Sequence, residues 1–260
     1  MTPDAPRGRL LLVPAPLDFG VDTGAVPIDL RETLALGVIR EAAAIGHWIA
    51  ENAKSARAFL KRVDAVVALA RPLQQLSIAE LPRPPKGAHK AAPIPAADAL
   101  LAPALAGSDI GLLSEAGLPG VADPGACVVL AAHRLGLAVV ALPGPSSLSL
   151  ALAASGLNGQ SFAFVGYLPQ GDAERAARIR ELESLSRRAA QTQLMIETPY
   201  RNRALLAALL AHLQPSTRLA VSCGLTLPAG WTRSDEVAAW RGRPVALPAD
   251  VPAVFALQAR

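Results

Sequence analysis

The sequence predicts an α/β fold made of two domains, and three observations lead to this prediction. Short aliphatic runs recur along the 260 residues, separated by helix caps and by Gly or Pro stops. Apolar residues make up 52% of the chain and charged residues 18%, a balance that supplies buried cores and argues against disorder. Aromatic residues are only 4%, so the cores must be aliphatic, as in helices packed on parallel strands. We expect an N-terminal domain with a parallel sheet over 1–142 and a C-terminal domain with a mixed sheet over 143–260.

The N-terminal domain begins with a buried strand. Arg9–Val13 is an apolar run that Pro14 ends. Asp29 and Glu32 have capping-box spacing, which predicts a helix of about four turns. A second strand is predicted at His47–Ala50, followed by a helix over 52–63 that is basic on one face.

A strand–helix–strand unit closes this domain. Asp109–Leu113 is a strand, and Asp123 followed by Pro124 predicts a helix that starts there and stops at Gly136. Leu137–Leu142 is the next strand. Short connections between such elements predict parallel pairing with a right-handed crossover.

The C-terminal domain repeats this alternation after a predicted hinge at Pro143–Pro145. Its predicted helices are opened by a cap residue and its strands are short apolar runs. The helices are 146–155, an Arg-rich helix from Asp172, and one that Thr198 and Pro199 open and that ends near His212; the strands are 162–165, 193–196, 218–223 and 254–257.

Several classes of protein lose support. Met1–Gly8 has no apolar run typical of a signal peptide, and the uncharged stretch 135–171 is broken by prolines, so we expect a cytoplasmic protein without a membrane span. The sequence lacks the glycine-rich dinucleotide motif, the P-loop, the nucleophile elbow and the zincin motif. The four histidines show no metal-ligand spacing, so no metal is expected; Cys127 and Cys223 are expected to be reduced thiols, with a disulfide as the alternative.

The net charge of +4 permits a polyanionic partner such as RNA without requiring one. Two basic segments have alternative interpretations. Pro82–Pro95 is either a solvated connection, which we favour, or a mobile basic loop that touches a substrate. The helix around Arg175–Arg188 alternates Arg with Glu, which favours a solvated helix over an RNA-contacting face.

Three loops join a strand to a helix and are candidates for ligand binding, since ligands bind at the carboxyl ends of strands in open α/β sheets. In Ser114–Gly125, Glu115 can accept hydrogen bonds from ribose hydroxyls or an ammonium group, or can be an exposed residue of a shaped turn. In Leu142–Ser147, free N–H groups can hold a carboxylate or phosphate, or Ser146 can simply cap the helix. The third loop is Ile196–Arg201.

Together these loops resemble the tetrapyrrole-methylase superfamily, and most closely its bacterial 16S ribosomal RNA 2'-O-ribose methyltransferases. That branch has a Ser-Asp-Ala-Gly-x-Pro-x-x-x-Asp-Pro-Gly loop, matched by Ser114–Gly125, and a Pro-Gly-Pro before a Ser/Ala-rich helix, matched by Pro143–Ser147. It also has Gly-Phe-Leu-Pro, matched by Gly166–Pro169, and Tyr-Glu-Ser-Pro-x-Arg, matched by Ile196–Arg201.

The resemblance implies two α/β domains with S-adenosylmethionine in the cleft between them, a homodimer, and ribosomal RNA or the small ribosomal subunit as partner. The residues that it places around the cofactor lie in the loop after the first strand, in the three loops above and in a turn near 224. They are Leu17, Ser114, Glu115, Ala116, Gly117, Leu118, Pro119, Ser146, Ser147, Ile196, Glu197 and Gly224.

The acceptor side departs from the family pattern, since Ala-Glu-Asp-Thr-Arg becomes Ala50-Glu51-Asn52-Ala53-Lys54. A ribose hydroxyl is poorly acidic and benefits from a general base, for which Glu51 is the candidate, with Lys54 to neutralise developing charge or bind phosphate. Two alternatives remain open: a methyltransferase with a small-molecule or protein acceptor, and a non-catalytic protein that only binds S-adenosylmethionine.

Overall fold

The structure, a computed structural model, describes residues 6–18, 28–82 and 94–260. It divides into two compact units, with the boundary between Pro145 and Ser146. Each unit has its own sheet and its own hydrophobic cores. None of the helices within these described ranges is long and apolar enough to cross a membrane.

The first unit is a parallel sheet covered by helices on both faces. In the described residues, its strands lie in the order β3-β2-β4-β1-β5, and each neighbouring pair is parallel. The elements in chain order are β1 (Arg9–Val13), α1 (Leu36–Ala44), β2 (His47–Ala50), α2 (Ala53–Asp64), β3 (Ser77–Glu80), α3 (Ile94–Leu100), α4 (Ala102–Leu105), β4 (Ile110–Leu113), α5 (Ala126–Arg134) and β5 (Ala138–Ala141).

The connections of β1 and β4, which are neighbours in the sheet, leave in opposite directions. The chain runs from β1 to β2 on one side and from β4 to β5 on the other. Right-handed crossovers then place α1 and α2 on one face and α5 on the other. The cores agree, because Leu11 and Val13 pack with α1 and α2 whereas Leu10 and Leu112 pack with α5. The carboxyl ends of β1 and β4 therefore form a topological switch point, the usual place of a ligand in open α/β sheets.

The second unit is a mixed sheet whose described strands lie in the order β6-β7-β10-β8-β9. Only the pair of β6 and β7 is parallel among these neighbours. One face packs against the helices α7, α8 and α9, and the other against α6. The elements are α6 (Ser147–Ser155), β6 (Phe162–Tyr167), α7 (Asp172–Ala189), β7 (Thr192–Ile196), α8 (Asn202–His212), β8 (Arg218–Cys223), β9 (Trp231–Glu236), α9 (Val237–Gly242) and β10 (Ala253–Gln258).

The α/β prediction is confirmed, but two predicted helix starts are wrong. Asp29 accepts from the amide of Arg31 at 2.8 Å and caps only a 3₁₀ turn, Leu30–Glu32. The chain then becomes extended at Ala35, with φ −61° and ψ 143°, and α1 begins at Leu36. Asp123 is not the cap of α5 either: that position belongs to Gly125, whose φ of +126° suits glycine alone.

The strand β9 was not predicted from the sequence, because it contains no apolar run. β9 is Trp-Thr-Arg-Ser-Asp-Glu, half-buried throughout, and it forms by pairing with β8 along its whole length. The predicted loop 82–95 lies for the most part outside the described residues.

Cys127 and Cys223 are both free. In the Arg-rich helix, Arg178 pairs with Glu181 at 2.7 Å, as a solvated helix would have it.

The pairing of β2 with β4 depends on a glycine. Gly111 lies opposite Trp48, and a Cβ at Gly111 would come within 2.7 Å of the Trp48 ring. Trp48 is only 1% exposed and contacts Phe59 edge to face, so the ring has no room to move.

We expect Gly111→Ala to destabilise the first unit by about 1–3 kcal/mol through overpacking against Trp48. Gly37→Ala is the matched control, because a Cβ there meets nothing within 4 Å and Gly37 lies inside α1. The control should be neutral or stabilising by up to about 1 kcal/mol. Thermal unfolding of the two variants beside wild type checks the prediction, and equal midpoints for both would contradict it.

Candidate functional site

Two acidic residues leave the first sheet side by side. Ala50 at the end of β2 lies opposite Leu113 at the end of β4, so Glu51 and Ser114 follow in register. The backbone amide of Glu115 donates to Oε2 of Glu51 at 3.2 Å. The register of the sheet thus brings together Glu51 and Glu115, which the sequence predicted for catalysis and for cofactor binding respectively.

The start of α2 lies beside this pair and is fully capped. Oδ1 of Asn52 accepts from the amides of Lys54 at 2.8 Å and Ser55 at 3.4 Å, and Oε1 of Glu80 accepts from the amide of Ala53 at 2.8 Å. The Ser55 hydroxyl lies 3.2 Å from Oε1 of Glu115. The neutral Asn52 therefore serves as the cap of the helix, and the carboxylates of Glu51 and Glu115 are not needed for capping.

A third carboxyl group, Asp123, joins the cluster. Burial raises the pKa of Asp123 to about 7, and the charges of Glu51 and Glu115 add to this, whereas a hydrogen bond from Ser114 opposes it. Burial also raises the pKa of Glu51; the amide of Glu115 opposes this shift and the Glu115 carboxylate adds to it. Asp123 was interpreted as a helix cap from the sequence, and only its place in the quoted Asp-Pro-Gly motif pointed to the site.

The loops after β1 and β4 are joined by their backbones. Ala15 and Gly117 exchange two hydrogen bonds, of 2.9 and 3.0 Å. A Cβ on Gly117, whose φ is +69°, would lie 3.4 Å from Leu17 and 3.7 Å from the Pro145 carbonyl. The hydroxyl of Ser114 donates to the Ala116 carbonyl at 3.1 Å. The predicted residues Leu17 and Ser114–Pro119 are thus gathered at the carboxyl edge of the first sheet, whereas Lys54 is exposed at the start of α2.

The remaining predicted cofactor residues belong to the second unit. Ser146 is the N-cap of α6, but its side chain makes no capping hydrogen bond, and Ser147 is the first residue of that helix. Ile196 ends β7, and the Glu197 that follows is held by Arg201 at 2.7 Å. Gly224, at φ +64°, turns the chain after β8, and its amide donates to the Pro252 carbonyl at 3.0 Å. Among the described residues, no group of three or more His, Cys, Asp or Glu has the arrangement of a metal site.

We expect the free energy of unfolding of Asp123→Asn, measured relative to that of wild type, to increase as pH rises from about 4 to about 7. The pKa of Asp123 is about 7 in the folded protein and near its ordinary 3.8 in the unfolded chain. In that window the folded state holds a proton that the unfolded chain has released, so wild-type stability falls as pH rises. Asparagine removes this titration and keeps the shape.

Denaturant unfolding at about pH 4 and about pH 8 measures the effect. Asp250→Asn, which removes an exposed carboxylate of the second unit, is the control and should show the same difference from wild type at both pH values. A stability gain of Asp123→Asn that does not change with pH would contradict the assignment.

Comparison with known proteins places the chain among methylases. The family model described as Tetrapyrrole (Corrin/Porphyrin) Methylases matches residues 38–232. Curated proteins named Ribosomal RNA small subunit methyltransferase I match shorter stretches. That of Vibrio cholerae is 40% identical over 97 residues, which cover 37% of this chain and 32% of the relative. That of Bacillus subtilis is 38% identical over 120 residues, 46% of this chain and 39% of the relative. The chain thus spans about a third to two-fifths of the length of these relatives.

Solved structures of similar fold cover nearly the whole chain. The methyltransferase CobJ has a TM-score of 0.54 at 15% identity, with 97% of this chain and 94% of that chain covered. Uroporphyrin-III C-methyl transferase from Thermus thermophilus, complexed with S-adenyl homocysteine, has a TM-score of 0.53 at 20% identity, with 96% and 97% covered. At such identities the likeness concerns the fold.

Proposed function

Since its family model covers about three quarters of the residues, this chain belongs to the tetrapyrrole (corrin/porphyrin) methylase family, and we propose that it is an S-adenosylmethionine-dependent methyltransferase whose acceptor is ribosomal RNA. The observation that carries the proposal is the gathering of Glu51, Glu115 and Asp123 with the glycine-shaped loop 114–120 at a topological switch point. The choice of ribosomal RNA as acceptor is supported by the curated relatives, which are named as ribosomal RNA methyltransferases.

The residues at this edge fit a cationic nucleoside cofactor. A cofactor with an ammonium and a sulfonium centre is favoured beside carboxylates, and Glu115 can accept from ammonium or ribose hydroxyls. Gly117, at φ +69°, carries no side chain at the point where Leu17 and Pro145 approach, so the loop leaves space there for a ligand. We propose Leu17 and Ser114–Pro119 of the first unit, with Ser146, Ser147, Ile196, Glu197 and Gly224 of the second, as the cofactor residues.

The carboxyl cluster suits proton removal from the acceptor. S-adenosylmethionine supplies an activated methyl group when bound, so the protein must position and deprotonate the hydroxyl. Burial raises the pKa of Glu51, which makes it a stronger base than an ordinary carboxylate. A proton kept on Asp123 near neutral pH removes one negative charge from the cluster and helps Glu51 stay ionised. Lys54, exposed one turn away, is placed for a phosphate of the acceptor.

This proposal carries two further expectations. A small-ribosomal-subunit acceptor requires that the protein work in the cytoplasm, and the family resemblance suggests a homodimer.

One observation favours a different acceptor: Asn52, Ala53 and Lys54 depart from the family pattern, and Asn52 is committed to capping α2. Transfer to a small molecule or a protein, but not to RNA, would support that alternative.

We expect S-adenosylmethionine to raise the midpoint of thermal unfolding, with ATP and NAD as controls. A ligand at a hundred times its dissociation constant stabilises the folded state by about 2.7 kcal/mol. For a chain of this size the midpoint should rise by roughly 5–10 °C. A rise with all three nucleotides, or with none, would remove the cofactor assignment.

We expect Glu51→Gln to lower methyl transfer by about 10²–10⁴-fold and to spare cofactor binding, because the amide cannot accept the proton. Glu174→Gln, which removes an exposed carboxylate on α7, is the matched control and should transfer at the wild-type rate. Single-turnover transfer to deproteinised small-subunit RNA measures the rate, and the S-adenosylmethionine shift measures binding. A Glu51→Gln variant of unchanged rate would exclude this residue as the base.

A further inference from the structure

The net positive charge of the chain comes from residues 146–260. They contain twelve arginines and no lysine against eight acidic residues, whereas 1–145 contain thirteen of each sign. Residues 146–260 therefore carry the whole net charge of +4. Arginine both pairs with phosphates and stacks on flat rings. This composition is therefore better suited to contact with a nucleic acid than to a surface that is only solvated.

Both tyrosines of the chain are exposed, and both lie at one edge of the second sheet. Tyr167 is 56% exposed and ends β6, where it pairs with Ile196 at the end of β7. Tyr200 is 70% exposed and follows Ile196 by four residues. β6 and β7 are parallel, so their carboxyl ends share an edge. In a chain with only 4% aromatic residues, two exposed rings at one edge of a sheet mark a candidate contact surface.

Arg201, next to Tyr200 in the chain, is held in place by Glu197. Glu197 is only 8% exposed, and its Oε1 accepts from Nη2 of Arg201 at 2.7 Å and from Nε at 3.1 Å. The guanidinium carbon of Arg201 lies 5.4 Å from the centre of the Tyr200 ring. Arg201 can cover at most one face of that ring, so an exposure of 70% leaves the other face open. Arg201 is thus already held in the folded protein, so little of its side-chain freedom is left to lose when a ligand binds at Tyr200.

We propose that Tyr200 and Arg201, with Tyr167 at the same edge, form a stacking platform for unpaired bases of RNA. Sequence-specific proteins recognise RNA mostly through single-stranded bases stacked on aromatic rings or guanidinium planes. The inference deepens the proposed function, on which it rests, by naming the surface that holds the acceptor. It assigns to the second unit a binding role that is separate from the carboxyl cluster.

Binding of a fluorescein-labelled single-stranded RNA of about ten nucleotides, followed by anisotropy without cofactor, tests the platform. We expect Tyr200→Ala to weaken binding by about tenfold, the loss typical of one stacked base, and Tyr200→Trp to bind within about twofold of wild type. Because the side chain is mostly exposed, these variants should unfold at the wild-type temperature.

Two variants serve as controls. Phe162→Ala removes a 50% exposed ring from the opposite end of β6 and should leave binding unchanged. Arg180→Ala removes one exposed positive charge from α7 and should weaken binding less than Tyr200→Ala does, with at most a small decrease in the salt dependence. The platform is overturned if Tyr200→Ala binds as wild type, if Phe162→Ala loses as much, or if Tyr200→Ala instead turns a dimer into monomers in sedimentation.

Failure of the platform and failure of the proposed function give different results. Tyr200-dependent RNA binding in a protein that S-adenosylmethionine does not stabilise would support the platform and contradict the methyltransferase. Transfer to RNA that survives Tyr200→Ala with unchanged binding would support the methyltransferase and contradict the platform.

Discussion

The hydrogen-bond register between β2 and β4 is the constraint on which the candidate site depends. Ala50 lies opposite Leu113, so the first residues beyond both strands, Glu51 and Ser114, leave the sheet together. A slip of one residue would reverse the faces of a strand and send Trp48 out of its core. Gly111 makes this register possible, because no larger residue fits under the Trp48 ring. The packing of the core therefore determines where Glu51 and Ser114 lie.

The cluster that this register creates opposes the stability of the fold. Burial raises the pKa of Glu51 and Asp123, which means that ionisation of these groups costs free energy in the folded state. A chain selected for stability alone would place amides there, as it does at the neighbouring cap Asn52. Shifted carboxyl groups gathered at the carboxyl ends of strands are typical of catalytic sites, where such a cost is tolerated.

The sequence predicted elements where one short-range rule decides and missed them where a distant contact decides. The strands at Arg9–Val13 and Arg218–Cys223 were predicted because both are apolar runs. β9 was missed because its stability comes from pairing with β8 and not from its own polar residues. Asp123 follows the rule for a helix cap, yet the cap is Gly125, and burial beside Glu51 and Glu115 was not visible in the local pattern. Glu115 was a candidate both because its loop follows a strand and because the family motif has an acidic residue at that position.

Electrostatics gives the two units different tasks. A carboxyl cluster favours a cationic cofactor, but within a Debye length of about 8 Å it also repels the phosphates of an RNA acceptor. Residues 1–145 have no net positive charge with which to offset this repulsion. Under the proposed function, most of the attraction for RNA comes from residues 146–260, where the arginines outnumber the acids and where Tyr200 and Arg201 offer a stacking contact, while Lys54 adds one positive charge beside the cluster. Stacking persists at salt concentrations that weaken phosphate contacts, so the proposed platform would retain RNA where charge alone would not.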